Sequence, residues 1–164
     1  MSSKSVQDNF EKINTSDLKV KDLPELERYI LHKVYVLDKI YKENLKHYNL
    51  HKLYKELLNF CTLDLSSFYF DIRKDVLYCE GQKSKKRKDC ILVLNVILDC
   101  LLKWFAPILV FTTEEIFTLV SKTSKSIHEL DLPKINESFK NSEIDELKGI
   151  ITDKISLISG SIFG

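Results

Sequence analysis

Five of the six residues from Lys83 to Lys88 are cationic: Lys83, Lys85, Lys86, Arg87 and Lys88. A run of that density can displace condensed counterions from a nucleic-acid backbone and hold its phosphates. The plainer reading is a solvated helix entry, slightly disfavoured because cations sit better at a helix C-terminus. Just upstream, residues 59–79 combine Phe60, Phe68, Tyr69 and Phe70 with a charged cluster of Asp71, Arg73, Lys74 and Asp75. Tyr69 and Tyr78 have the chemistry to stack on unpaired bases. Paired charges could aim Arg73 and Lys74 at RNA or at a neighbouring domain. Against this stand local ion pairs of small worth for the charges, and a place in the core for the aromatics. Phe60, Phe68 and Phe70 are expected to be core.

Other chemistry finds no support. The histidines His32, His47, His51 and His128 are scattered, and the cysteines Cys61, Cys79, Cys90 and Cys100 show no zinc-ligand spacing, so no metal is expected. Buried free thiols in a reducing compartment are expected instead. Glu114 and Glu115 are adjacent on a helix and point to different faces, so they form no acid–base dyad. Nucleophile elbows and glycine-rich phosphate loops are lacking. No catalytic residues can be assembled.

The elements that must carry these residues are helical. The chain has 164 residues, enough for one domain with a real core, and only 4 glycines and 3 prolines break it. Its net charge of +1 favours no nucleic acid in bulk, so any RNA contact must come from local patches, and no DNA partner is expected. Met1 to Asn9 lacks the apolar core of a secretion signal. The longest apolar stretches are broken by Asp99, Lys103 and Pro107, so no membrane partner is expected.

Residues 1–21 read as an irregular lead-in. A first helix is predicted from an Asp22 cap with Pro24 in its first turn. Its apolar stripe is Leu26, Ile30, Val34, Leu37, Tyr41, Leu45 and Tyr48. A second helix from Leu50 continues through Leu53, Leu57, Phe60, Cys61 and Leu65 toward Phe68 and Ile72. It ends near Arg73–Asp75, with Val76–Tyr78 an extended exit. A third, from about Ser84 to Ala106, is apolar nearly all round from Ile91 and should be central. A fourth follows Pro107, from Ile108 to about Val120. Residues 121–133 read as loop, and Ser142 with Asp145 suggests a cap for a last helix. The prediction is all-α: an up-and-down bundle of four to five helices, with 22–133 as the bundle and 134–164 as a C-terminal helix and tail.

Several of these blocks resemble a known family in order. Leu23-Pro24-Glu25-Leu26 resembles the entry to the anticodon-binding helical domain of bacterial-type isoleucyl-tRNA synthetases, which are class I aminoacyl-tRNA synthetases. Asp64-Leu65-Ser66-Ser67-Phe68-Tyr69-Phe70-Asp71-Ile72-Arg73-Lys74-Asp75-Val76-Leu77-Tyr78 resembles that domain's most specific motif. Leu102 to Leu109, then Glu114-Glu115-Ile116 and Ser126-Ile127-His128, resemble its later blocks.

The resemblance implies binding of the tRNA(Ile) anticodon stem-loop and a cytoplasmic location. It implies a partnership with the catalytic domain of the same synthetase, in cis or as a split partner. Tyr78, Arg73, Lys74 and the Lys85, Lys86, Arg87, Lys88 run are the expected tRNA contacts. Asp64, Ser66, Phe68, Tyr69, Asp71, Trp104, Pro107 and Glu115 are expected to be structural or interdomain. ATP and Mg belong to the family's catalytic domain, so no cofactor is expected here. The signatures of that catalytic domain are missing, so the chain is expected to be an excised or naturally split domain unable to charge tRNA by itself. The alternative is a stand-alone helical protein-interaction module, with an exposed apolar patch around Val110–Leu119, or a non-catalytic remnant.

Overall fold

The structure, a computed structural model, describes residues 18–81, 83–121, 124–144, 146 and 157. It is an all-α bundle: α1 (Glu25–Lys46), α2 (Leu50–Asn59), a π-helical segment (Phe60–Phe70), α3 (Asp71–Cys79), α4 (Lys85–Phe105) and α5 (Val110–Val120). Most of the lead-in 1–21 lies outside the described residues, as does most of the last helix, including Asp145.

The first helix starts later than its sequence suggests. Asp22 closes a short 3-10 turn, Val20–Asp22, and Leu23 is extended (φ −81, ψ 149). The ring of Pro24 disfavours helical backbone at the residue before it, so Pro24 itself becomes the cap. From there Ile30, Leu31, Val34, Leu37 and Tyr41 bury one face of α1.

The end of α1 is a Schellman motif. The Asn49 N–H donates to the Asn44 carbonyl at 2.9 Å and the Tyr48 N–H to the Leu45 carbonyl at 3.0 Å. Tyr48 takes the left-handed position with φ 51. It points its ring away from the predicted stripe and is 86 % exposed. Asn49 then caps α2 by accepting from the Lys52 N–H at 3.4 Å.

From Leu50 to Cys79 the chain forms one helical column whose middle is wound more loosely than an α-helix. There the buried residues are Phe60, Leu65 and Tyr69, and the next buried residue is Arg73 in α3. Spacings of five, four and four fit i→i+5 winding. The Ser67 hydroxyl donates to the Thr62 carbonyl five residues back, at 2.8 Å.

This winding overturns three expectations. Phe68 and Phe70 are turned outward rather than into the core. Phe68 meets Tyr29 edge-to-face at 5.5 Å. Val76–Tyr78 are the last turn of α3, not an extended exit.

The long helix α4 touches all the others and carries the buried Cys90, Val93, Val96, Ile97, Cys100 and Trp104. Trp104 stacks on Tyr41 with ring centres 5.8 Å apart. A smaller core of Leu102, Ala106, Phe117 and Ile127 fixes α5 to the end of α4. Residues 106–109 form a turn after Pro107, so α5 begins at Val110 rather than Ile108. Cys90 and Cys100 are buried free thiols. Cys61 is half-buried, and Cys79 is exposed because it closes α3 at the bundle's edge.

Candidate nucleic-acid interface

The surface is organised by a buried polar clamp. Glu27, in the first turn of α1, is wholly buried. Its Oε1 accepts from Arg73 Nε at 2.7 Å and its Oε2 from Arg73 Nη2 at 2.6 Å. The Tyr69 hydroxyl donates to the same Oε1 at 3.1 Å and lies 3.3 Å from Cys90 Sγ. Glu27 also sits where the positive end of the α1 dipole favours a carboxylate.

The paired and bidentate geometry sets the direction of each shift. The Glu27 hydrogen bond holds the Arg73 guanidinium more firmly charged than usual, against the opposing effect of burial. Burial, helped by Cys90 and Glu27, pushes the Tyr69 phenol well above its ordinary range. Burial likewise raises the Cys90 thiol. The clamp ties α1, the π segment, α3 and α4 together at one point.

Arg73 therefore does not stand where a surface contact needs it. It is 7 % exposed and both arms of its fork are engaged by Glu27. Its role in the structure is to hold the column in register. Glu27, which the sequence reading passed over, is its partner. The signal was an acid between Leu26 and Ile30 in the buried stripe.

The other expected contacts do gather. Lys74 and Tyr78 leave the outer side of α3, the turn follows from Glu80, and Lys85, Lys86 and Lys88 are exposed in the first turns of α4. Tyr78 is 82 % exposed. Lys74 contacts Asp71 at 3.0 Å, and that hydrogen bond is the main cause of its raised pKa. Arg87 is half-buried and donates from Nε to the Leu77 carbonyl at 3.2 Å, so it closes the C-terminus of α3. Ser84 donates to Glu80 across the turn. The result is a cationic corner with an exposed phenol beside it.

The residues expected to be structural divide between two ends of the bundle. Asp64 pairs with Lys33 at 3.1 Å, joining the π segment to α1. Burial opposes the Lys33 charge, but Asp64 and Tyr29 together raise its pKa. Ser66 and Asp71 are exposed. Trp104 lies about 29 Å from Lys85 along α4 at 1.5 Å per residue, in the core of the far end.

There Pro107 and Glu115 are exposed, and the neighbouring Glu114 carries the contact instead. Its Oε2 accepts from the Ser126 hydroxyl at 2.7 Å and the Ile127 N–H at 3.0 Å. A carboxylate one residue along is turned by about 100° around the helix, which is why Glu115 misses this loop.

The sequence of residues 27–159 matches the family described as the anticodon-binding domain of tRNA ligase. The chain belongs to that family. It is 59 % identical over 140 residues to an isoleucine–tRNA ligase of Pelagibacter ubique, covering 85 % of this chain and 16 % of the relative. It is 35 % identical over 149 residues to that of Agrobacterium fabrum, covering 91 % and 15 %. For Mesorhizobium japonicum the figures are 39 % over 124 residues, 76 % and 12 %. The chain thus spans only a small part of the length of each of these relatives. The clamp is buried and joins four elements of the bundle, whereas the lysines of the cationic corner face solvent.

Proposed function

We propose that this chain is the anticodon-binding domain of an isoleucyl-tRNA synthetase and holds the anticodon stem-loop of tRNA(Ile) in the cytoplasm. The observation that carries the reading is the cationic corner. Lys74, Lys85, Lys86 and Lys88 face solvent beside an 82 %-exposed Tyr78, on a chain belonging to an anticodon-binding family. Phosphate contacts from the lysines would fix the orientation of the stem, and stacking would engage unpaired loop bases.

Isoleucine activation and transfer belong, in this proposal, to a catalytic domain that also binds ATP and Mg. Among the described residues no three His, Cys, Asp or Glu side chains are placed to hold an ion.

Titrating tRNA(Ile) and an anticodon-swapped tRNA against the chain over a salt series tests the proposal. Tighter binding of tRNA(Ile), weakening steeply with salt, is expected. Equal affinities without salt dependence would overturn it.

One observation favours a protein contact as well. The outer face of α5 exposes Phe111 (89 %) with Val110, Ile116 and Leu119, an apolar patch that suits another part of the same synthetase.

A further inference from the structure

Helices α1 and α4 run in the same direction, and polar side chains meet between them at two levels. At the first, Glu27 of α1 lies beside Cys90 of α4 within the clamp. At the second, Tyr41 of α1 stacks on Trp104 of α4. The same 14 residues separate the two levels on each helix, about 21 Å at 1.5 Å per residue. The levels differ in how their polar atoms are served. Glu27, Arg73 and Tyr69 pair directly with one another. At the far level three buried atoms have no hydrogen-bond partner among the described residues: Asp38 Oδ1, the Tyr41 hydroxyl and Trp104 Nε1. Asp38 is 5 % exposed, and both rings are wholly buried.

These atoms belong to one neighbourhood. Asp38 and Tyr41 are three residues apart on α1 and share a face, as do Cys100 and Trp104, four apart on α4. Tyr41 meets Trp104 with ring centres 5.8 Å apart and planes inclined by 28°. Asp38 meets the level of Cys100. Burial is the main reason that thiol is raised, and the charges of Asp99 and Asp38 add to it against Lys103. The other Asp38 oxygen, Oδ2, accepts from Lys42 Nζ at 2.6 Å. Burial pushes the Tyr41 phenol up to about 12, so it keeps its proton. Three unpaired polar atoms in one seam would be strongly destabilising, so a native fold must supply them with a partner.

The chemistry of the three atoms defines that partner. An indole N–H only donates, a carboxylate oxygen only accepts, and a phenol does either. The ligand must therefore accept and donate at once. A cation cannot accept from the indole, and an anion would be repelled by Asp38. The atoms are sealed from the surface, so the ligand must also be small. Water meets each of these conditions, and buried waters typically make about three such bonds.

We propose that an ordered water is bound in the seam between α1 and α4, accepting from Trp104 Nε1, donating to Asp38 Oδ1 and pairing with the Tyr41 hydroxyl. The two helices are then joined by a direct clamp at one level and by a bridging water at the other. The far joint reaches beyond α1, because Trp104 lies between Leu102 and Ala106, whose core fixes α5.

Trp104 is the chain's one tryptophan, so its indole N–H gives a single NMR signal in the nitrogen-15-labelled full chain. That proton should show a cross-peak to water, with the opposed signs in laboratory-frame and rotating-frame experiments that mark a long-lived contact. Tyr41→Phe should keep the peak, since Asp38 and Trp104 still hold the water. The same variant should lower the folding equilibrium constant roughly fivefold in urea unfolding, the scale of one net hydrogen bond. Without a bound water, Tyr41→Phe merely deletes an unpaired hydroxyl and leaves that constant unchanged or raises it.

No cross-peak in the parent chain would overturn the proposal. So would a peak abolished by Tyr41→Phe, whose source would be a phenol proton exchanging with solvent, or a variant at least as stable as the parent. A crystal structure of the parent chain decides independently of any variant. Density within hydrogen-bonding distance of all three atoms supports the water, and direct pairing of those atoms with protein groups, or no density between them, overturns it.

Discussion

Arg73 and Lys74 are neighbours in the chain and carry the same charge, yet the fold puts them to opposite uses. Arg73 is buried against Glu27 with two hydrogen bonds shorter than 2.8 Å. Lys74 lies in solvent beside Asp71 and the cationic corner. The winding of the helix before them decides which is which. With spacings of five, four and four, the column brings Leu65, Tyr69 and Arg73 inward in succession. With ordinary α-helical spacing the buried face would pass through Phe68 and Ile72 and leave Arg73 outside. Charge in this domain acquires its role from helix register, not from local composition.

The largest test of that contrast removes the clamp. Glu27→Ala leaves a buried guanidinium without its counter-charge and should cost about 3–5 kcal/mol of stability, read from urea or thermal unfolding. The double variant Glu27→Leu, Arg73→Met replaces both charges with apolar groups and should recover most of that loss. If Glu27→Ala unfolds like the parent chain, Arg73 is not held by the pair and could serve as a surface contact after all.

Much of this was legible in the amino-acid order, and what was missed has a common cause. The paucity of glycine and proline, with apolar residues three and four apart, suffices for α1, α2, α4 and α5. Asn49 and Pro24 mark helix ends that the structure keeps within a few residues. A π-helical stretch cannot be seen by counting in threes and fours, so Phe68 and Phe70 were assigned inward and Arg73 outward. Pairing between distant residues was equally hidden. Glu27 and Arg73 are 46 positions apart, and although the place of Glu27 between Leu26 and Ile30 points inward, nothing local names its partner. Exposed lysines after a turn, by contrast, needed only local chemistry to be placed, and Lys85, Lys86 and Lys88 are where that chemistry puts them.

A smaller effect separates exposure from irrelevance to stability. Tyr48 is 86 % exposed and buries little, but its φ of 51 falls in the left-handed region, which costs a residue with a Cβ about 1–2 kcal/mol. Tyr48→Gly relieves that strain and gives back part of the gain through the freer unfolded chain. A net stabilisation of about 0.5–1 kcal/mol is expected by the same unfolding measurement. A destabilised Tyr48→Gly would mean that the ring, not the backbone, supports the α1–α2 corner.

The smallest effect on stability is expected where the proposed function is greatest. Lys85, Lys86 and Lys88 have exposed side chains, and they crowd the positive end of the α4 dipole, which gains nothing from cations. The triple change to Gln should therefore move unfolding by no more than about 0.5 kcal/mol, and toward greater stability if at all. In a salt titration with the anticodon stem-loop, each lost phosphate contact should flatten the slope of log K against log salt by about 0.7 to 0.9. A triple variant with unaltered slope would remove the corner from the interface. A variant that binds less well because it unfolds would show instead that these lysines, like Arg73, are structural, and the contrast between the two regions would collapse.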